Sequence, residues 1–242
     1  MLWAGRSHRG RSRTRNEDSW GLRPKVGVAA VADGVGGSPG GDRAALLAID
    51  WTLATLPDPT WPDRDGTGRR QVVQNAHRAI LDAGDRDPML TGMATTLTAI
   101  RWANRRVEGL HVGDSRAYRL DDDGLTALTH DHTPAGEALR RGAIERPELR
   151  RHPRGHLLLR ALGGDHEAPE PELFEMDPFP PGSALFLCTD GIEAALAEPD
   201  VADLLGPVLE DRDPEGALDR LFEAALAAGA PDNLAAILLF PS

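Results

Sequence analysis

Five carboxylates that are remote in the chain share one local setting: each ends an apolar, strand-like run or sits beside a tight glycine turn. They are Glu17 in RTRNED, Asp33 in VAAVADGVGG, Asp114 in LHVGDSRAYRL, Asp190 in ALFLCTDG and Asp232 in APDNLAAILL. A strand ending in Asp-Gly or Gly-Asp carries its carboxylate from a buried interior to a rim, where turns without side chains leave space for a small charged species. Five such groups brought together repel unless protons or a cation neutralise them. Oxygen donors without Cys or clustered His favour magnesium or manganese over zinc. Taken singly, each Asp also fits an ordinary turn residue or helix cap, because Asp-Gly is a common turn dipeptide. The ordered set carries the chemical reading.

The elements that must position these groups are legible in outline. KVGVAAVAD (25–33) reads as a buried strand ending at Asp33. After it the period changes: Leu46, Ile49 and Leu53, then Val72, Val73, Ala76 and Ile80, recur at helical spacing over 42–56 and 69–83. The Pro- and Asp-rich stretch LPDPTWPDRDGTG connects these two helices. MATTLTAIRW, RVEGLHVGD and SRAYRL read as strands in an antiparallel meander, with turns at 103–104 and 121–124. Residues 134–154 are rich in Arg and poor in large apolar residues, and read as a small surface subdomain. A last block alternates strands PELFEM, SALFLCT and NLAAILLF with helices at 191–197, 201–209 and 214–228. The helix at 214 carries Asp213 as N-cap, Pro214 in its first turn and Gly229 past its end. Strands in sequence with helices in pairs before and after predict an α+β layered domain.

Composition narrows the function. A chain of 242 residues fits one domain, or one with a small insertion. A net charge of -11 argues against a nucleic-acid-binding face, which is ordinarily basic. Cys188 is the single cysteine, so there is no intramolecular disulfide and no thiol cluster for zinc; inside SALFLCTDG it reads as a small buried residue. The start has positive charge but no apolar signal-peptide core, and no stretch approaches the roughly 20 apolar residues of a membrane span. A soluble cytoplasmic protein with no membrane partner is expected.

Read in order, the motifs are R-x-x-x-E-D (13–18), D-G-x-G-G (33–37), G-x-x-T-T (92–96), G-D-S-R (113–116), T-D-G (189–191) and D-N (232–233). The series resembles the metal-dependent protein phosphatases of type 2C, from Arg13 to about Leu239. The resemblance implies a single domain over 1–242, built as a four-layer α-β-β-α sandwich of two antiparallel sheets flanked by helices. A mobile flap insertion is expected at about 133–158, beside a site at one end of the sandwich. It implies two Mn2+ or Mg2+ ions, held roughly 3.5–4 Å apart, that activate a water for direct attack on phosphoserine or phosphothreonine, without a covalent phosphoenzyme. On the family pattern Asp33 bridges both ions, Asp190 and Asp232 complete the first, and the Gly34 carbonyl and Glu17, directly or through water, serve the second. Gly36 and Gly37 would keep the backbone close. Asp114 matches the ligand that, with Asp190, holds a third ion in bacterial members; a turn with Asp114 paired to Arg116 is the competing reading. Arg13, four residues before Glu17, matches the phosphate-gripping arginine, with nearby Arg15 as competitor and a solvated basic terminus as the plain alternative.

One position departs from the family pattern. Many eukaryotic relatives carry a leaving-group His where this chain has Val35, which cannot transfer a proton. The eight histidines offer no sequence basis for a replacement, and His130-x-His132 fits a turn better than a zinc pair. The expected partners are proteins phosphorylated on Ser or Thr, opposite a Ser/Thr kinase, with the enzyme a monomer of bacterial type. Two other readings stand beside this one: a silent module that keeps the fold and binds phosphoproteins, and a phosphoesterase acting on nucleotides or small phosphates.

Overall fold

Residues 2–36, 40–56, 63–164 and 167–241 are described by the computed structural model. Its near-continuous apolar runs are strands buried on both faces. The first sheet has the order β10 (Glu172–Met176), β6 (Arg106–Val112), β5 (Leu97–Ala103), β3 (Val28–Asp33), β2 (Asp18–Arg23). The second has the order β1 (Trp3–His8), β12 (Leu234–Leu239), β11 (Ala184–Cys188), β7 (Arg116–Asp121), β8 (Gly124–Ala127). Every neighbouring pair is antiparallel.

Alternation along the strands sorts residues between three apolar layers. Ala29, Val31, Ile100, Trp102 and Val107 of the first sheet meet Ala117, Leu185, Leu187, Ile237 and Leu239 of the second. The alternate residues of the same strands face outward. Val28, Ala30, Ala32, Leu97 and Ala99 pack on α1 (Gly41–Thr55) and α2 (Thr67–Arg86) through Ala45, Ile49, Val73 and Ile80. On the far side, Phe186, Leu234, Ala236 and Leu238 pack on α5 (Glu198–Leu205) and α7 (Pro214–Ala227) through Leu205, Leu218, Leu221 and Phe222. The four layers are therefore helix, sheet, sheet, helix, as expected. The central strands β3, β5, β6, β11 and β12 leave almost no face to water, which is why their sequences show little polar alternation.

The expected meander is corrected. β5 and β6 pair, but β7 leaves for the other sheet, where it lies between β11 and β8. The crossing is made at Gly113, whose φ of +109° favours glycine. A Cβ there would also lie 2.5 Å from the Thr96 methyl. The helix expected over 201–209 divides into α5 and α6 (Val208–Asp211), because Pro207 brings no amide hydrogen to continue the ladder. The connecting stretch 57–62 lies outside the described residues.

Between Thr133 and Ala161 the chain forms α3 (Pro134–Arg140) and a 3-10 turn (Arg146–Arg151). It then returns in extended form to β9 (Leu162–Gly163), paired with β4 (Ala94–Thr95). No helix among the described residues is long and apolar enough to cross a membrane.

Candidate active site

Arg13, Glu17, Asp33, Gly34, Asp114, Asp190 and Asp232 line a single cavity of about 630 Å³. Its walls are strand ends. Asp33 closes β3, where its amide donates to Thr96 Oγ1 (2.9 Å) and its carbonyl accepts from the Thr96 amide (2.9 Å) and Thr95 hydroxyl (2.8 Å). Glu17 stands just before β2, donating its amide to Asn233 Oδ1 (2.8 Å) and accepting the Gly34 amide on its carbonyl (3.1 Å). A Cβ on Gly34 would lie 2.4 Å from the Gly41 carbonyl, so only glycine brings this backbone so near. Asp114 follows the Gly113 crossing, Asp190 opens α4 (Asp190–Ala195) directly after β11, and Asp232 precedes β12.

The carboxylates crowd, and among the described residues a single ion pair, Arg13 to Asp232, joins one of these five to a cation. Burial, then the charges of Asp18, Asp190 and Asp114, hold the Asp33 carboxyl well above the usual range. Burial and Asp190 do the same to Asp114. Asp190 is raised by burial first, although its hydrogen bond with Asp33 acts the other way. Glu17 is raised by burial and by the charge of Asp42. The strongest guanidinium contact in the cavity joins Arg13 to Asp232, NH2 to Oδ2, at 2.7 Å, with Arg13 still 45% exposed.

A sixth carboxylate belongs to the set and is not singled out by the motif reading. Asp18 sits opposite Asp33 in the β2–β3 register and is only 6% exposed. Its Oδ2 accepts from the Thr189 hydroxyl (2.7 Å), while Oδ1 is buried with no hydrogen-bond partner among the described residues. Burial pushes its carboxyl up to about 8. An unpartnered buried oxygen, an all-oxygen donor set and a backbone kept free of side chains at Gly34 fit hard divalent cations.

Other sequence expectations divide. Asp114 is not paired to Arg116, which instead grips Asp131 through Nε to Oδ1 (2.6 Å) and NH2 to Oδ2 (2.7 Å), with Glu193 as a further partner. The basic start is no loose terminus: Arg6 binds Glu215 and Asp219, and Arg11 binds the Leu226 carbonyl. Arg15 does not line the cavity, and Gly37 lies outside the described residues. Val35 and Gly36 line the cavity. His132 stands near His111 and Glu172, but its Nδ1 accepts the Gly113 amide (3.1 Å). His111 spends Nδ1 on Thr98 Oγ1 (2.8 Å) and Nε2 on the His130 carbonyl (3.2 Å), so this trio ties strand ends rather than offering open ligands. Asn233, visible in sequence only as the second letter of D-N, donates to the carbonyls of Arg9 and Arg15, both at 2.8 Å. It thereby fastens the loop that carries Arg13.

Comparison with known proteins agrees with this geometry. The family model described as Protein phosphatase 2C matches residues 4–228, and the chain belongs to that family, in its bacterial PPM type. It is 37% identical over 241 residues to "Serine/threonine protein phosphatase PstP" of Mycobacterium tuberculosis, covering 98% of this chain but 44% of that protein. The chain thus spans less than half the length of that relative. It is 32% identical over 240 residues to "Serine/threonine phosphatase stp" of Listeria innocua, covering 97% of this chain and 93% of the relative. The crystal structure of the catalytic domain of PstP in complex with 2 manganese ions superposes with a TM-score of 0.81 at 33% identity, covering 98% of this chain and 96% of that one. That of MsPP from Mycobacterium smegmatis in complex with cacodylate gives 0.85 at 34% identity, covering 100% and 99%.

Proposed function

We propose that this chain is a metal-dependent protein serine/threonine phosphatase, hydrolysing phosphoserine and phosphothreonine with two Mn2+ or Mg2+ ions. The observation that carries this reading is the convergence of half-buried and buried carboxylates from five separate strand ends on a cavity with an arginine at its lip. Asp33 would be shared between both ions, Asp190 and Asp232 would hold the first, and Glu17 with the Gly34 carbonyl would hold the second. Asp114 with Asp190 would take a third. When bound, such ions supply an activated water and offset charge on the phosphoryl oxygens.

The chain's own residues do the rest. Arg13, anchored through Asp232, presents a planar fork to two phosphoryl oxygens. Asn233 holds the loops of Arg13 and Glu17 in place. Val35 lines the cavity and has no proton to give to the leaving oxygen. We also read residues 133–158 as a flap within one domain, and the protein as a cytoplasmic monomer acting against a Ser/Thr kinase.

The test is hydrolysis of p-nitrophenyl phosphate and a phosphothreonine peptide with manganese, with chelator, and in Asp33→Ala and Asp232→Ala. Turnover should require manganese and fall at least about 1000-fold in either variant, the scale of losing a metal bridge. Unchanged rates in both variants would remove the mechanism.

A further inference from the structure

We propose that the extended leg Leu157–Arg160 reads the residues flanking the phosphorylated side chain, favouring substrate segments with a large apolar neighbour and an acidic one. This rests on the phosphatase reading above and adds to it the class of sequence that the site selects.

Leu157, Leu158, Leu159 and Arg160 line the same cavity as the carboxylates. Leu157 is 45% exposed and Leu159 57%, and of the exposed large apolar side chains among the described residues these two line the cavity. Their exposure is not that of a loose loop. The Leu159 amide donates to the His132 carbonyl at 2.7 Å, and three and four residues further on Leu162 and Gly163 are paired with Thr95 and Ala94. The Gly163 amide also donates to Nδ1 of buried His77 (3.0 Å). Backbone bonds therefore hold two leucines open to solvent at the cavity mouth, and covering them with an apolar side chain removes that area from water.

Charge supplies the second half of the selection. The chain carries -11 overall, yet residues 133–160 contain seven Arg against three Glu. Arg140 and Arg141 are taken by Glu137, and Arg146 by Glu198. Arg160 has no carboxylate partner among the described residues: its NH1 donates to the Glu170 carbonyl (3.0 Å) and faces His132 Nε2 (3.3 Å). Held by those contacts, it keeps its remaining N–H groups for an anionic group on the substrate. Arg13 is occupied differently, since it already binds Asp232. The mouth thus offers an apolar strip continuous with one unneutralised guanidinium, and the complementary ligand is an extended phosphorylated segment bearing a Leu-sized residue and a Glu or Asp.

Three phosphothreonine peptides test this with the manganese-loaded protein: one with Leu and Glu flanks, one with Glu replaced by Lys, and one with Leu replaced by Ser, each flank tried on both sides. The first should exceed the other two in kcat/KM by about tenfold, the usual worth of one apolar or charge contact in discrimination. In Leu157→Ser/Leu159→Ser the Leu-to-Ser ratio should fall toward one. In Arg160→Gln the Glu-to-Lys ratio should do the same, and in Arg160→Glu it should invert. Ratios within one preparation cancel any loss of folded enzyme. Equal rates on all three peptides, or variants that keep the wild-type ratios, overturn this inference alone. No hydrolysis of any peptide overturns the phosphatase reading beneath it.

Discussion

The Asn233 side chain joins three backbone groups: it donates to the carbonyls of Arg9 and Arg15 and accepts the amide of Glu17, each at 2.8 Å. Replacing it with Ala leaves those groups unpaired beside a cavity, where each lost partner costs about 1–3 kcal/mol if water cannot substitute. Asn233→Ala is expected to lower the urea midpoint and to reduce kcat/KM by at least about tenfold, because Arg13 and Glu17 lose their common anchor. Intact kinetics with normal stability would show that the loop holds itself. None of these contacts was legible, because they span more than 200 residues and local spacing says nothing about such bonds. Asp33, Asp114 and Asp190 were legible for the opposite reason: each sits where an apolar run meets a glycine turn, a purely local sign. Asp18 lay between the two cases, inside a recognised motif but with its burial set by Thr189, 171 positions away.

At the level of elements, the helix α7 shows how much local chemistry reveals. Asp213 is its N-cap and accepts from the Gly216 amide at 3.0 Å, as the run Asp-Pro implied. Asp213→Ala should cost about 1 kcal/mol in urea denaturation and leave phosphatase activity unaltered, since the helix lies on the outer layer away from the site. Strands buried on both faces, such as β3 and β12, announced themselves by unbroken apolar runs. β1 and β2 did not, because WAGRSH and DSWGLR mix small, aromatic and charged residues. Their pairing depends on fit across space: a Cβ on Gly5 would lie 2.4 Å from the Trp20 ring, so the glycine makes room for a side chain of the other sheet. The β7 crossing was hidden likewise, since three strands separated by short turns look the same whether the third stays or leaves.

For the molecule as a whole, the crowded carboxylates predict a stability that depends on cations. Manganese at about 100 times its dissociation constant should raise the melting temperature by roughly 5–10 °C, and chelator should reverse it. No shift would mean that the cluster does not take the ion. Acid should act through a different pair. Burial lowers His111 and His132 to about 3, whereas an unfolded chain protonates histidine near 6.5. Because the unfolded state then binds more protons, their contribution is complete above about 6.5 and is lost as pH falls toward 3. His111→Gln should therefore gain stability relative to the parent between pH 7 and 5, a comparison in which the shared carboxylate titration cancels. A constant difference would rule out this role. The sheet order also fixes a sequence of assembly. The strands of the first sheet are all complete by Met176, but β12, which lies between β1 and β11, is the last strand in the chain. During synthesis from the N-terminus, β1 must wait for a partner 226 positions or more downstream, with Trp3 finally opposite Leu239. Until then the inner face of the first sheet, with Val31, Ile100 and Trp102, lacks the cover that Ile237 and Leu239 give it. A nascent chain at that stage exposes a sticky apolar plate and should draw on holding chaperones, and since Asp232 and Asn233 emerge just ahead of β12, a ribosome-stalled fragment cannot hydrolyse anything.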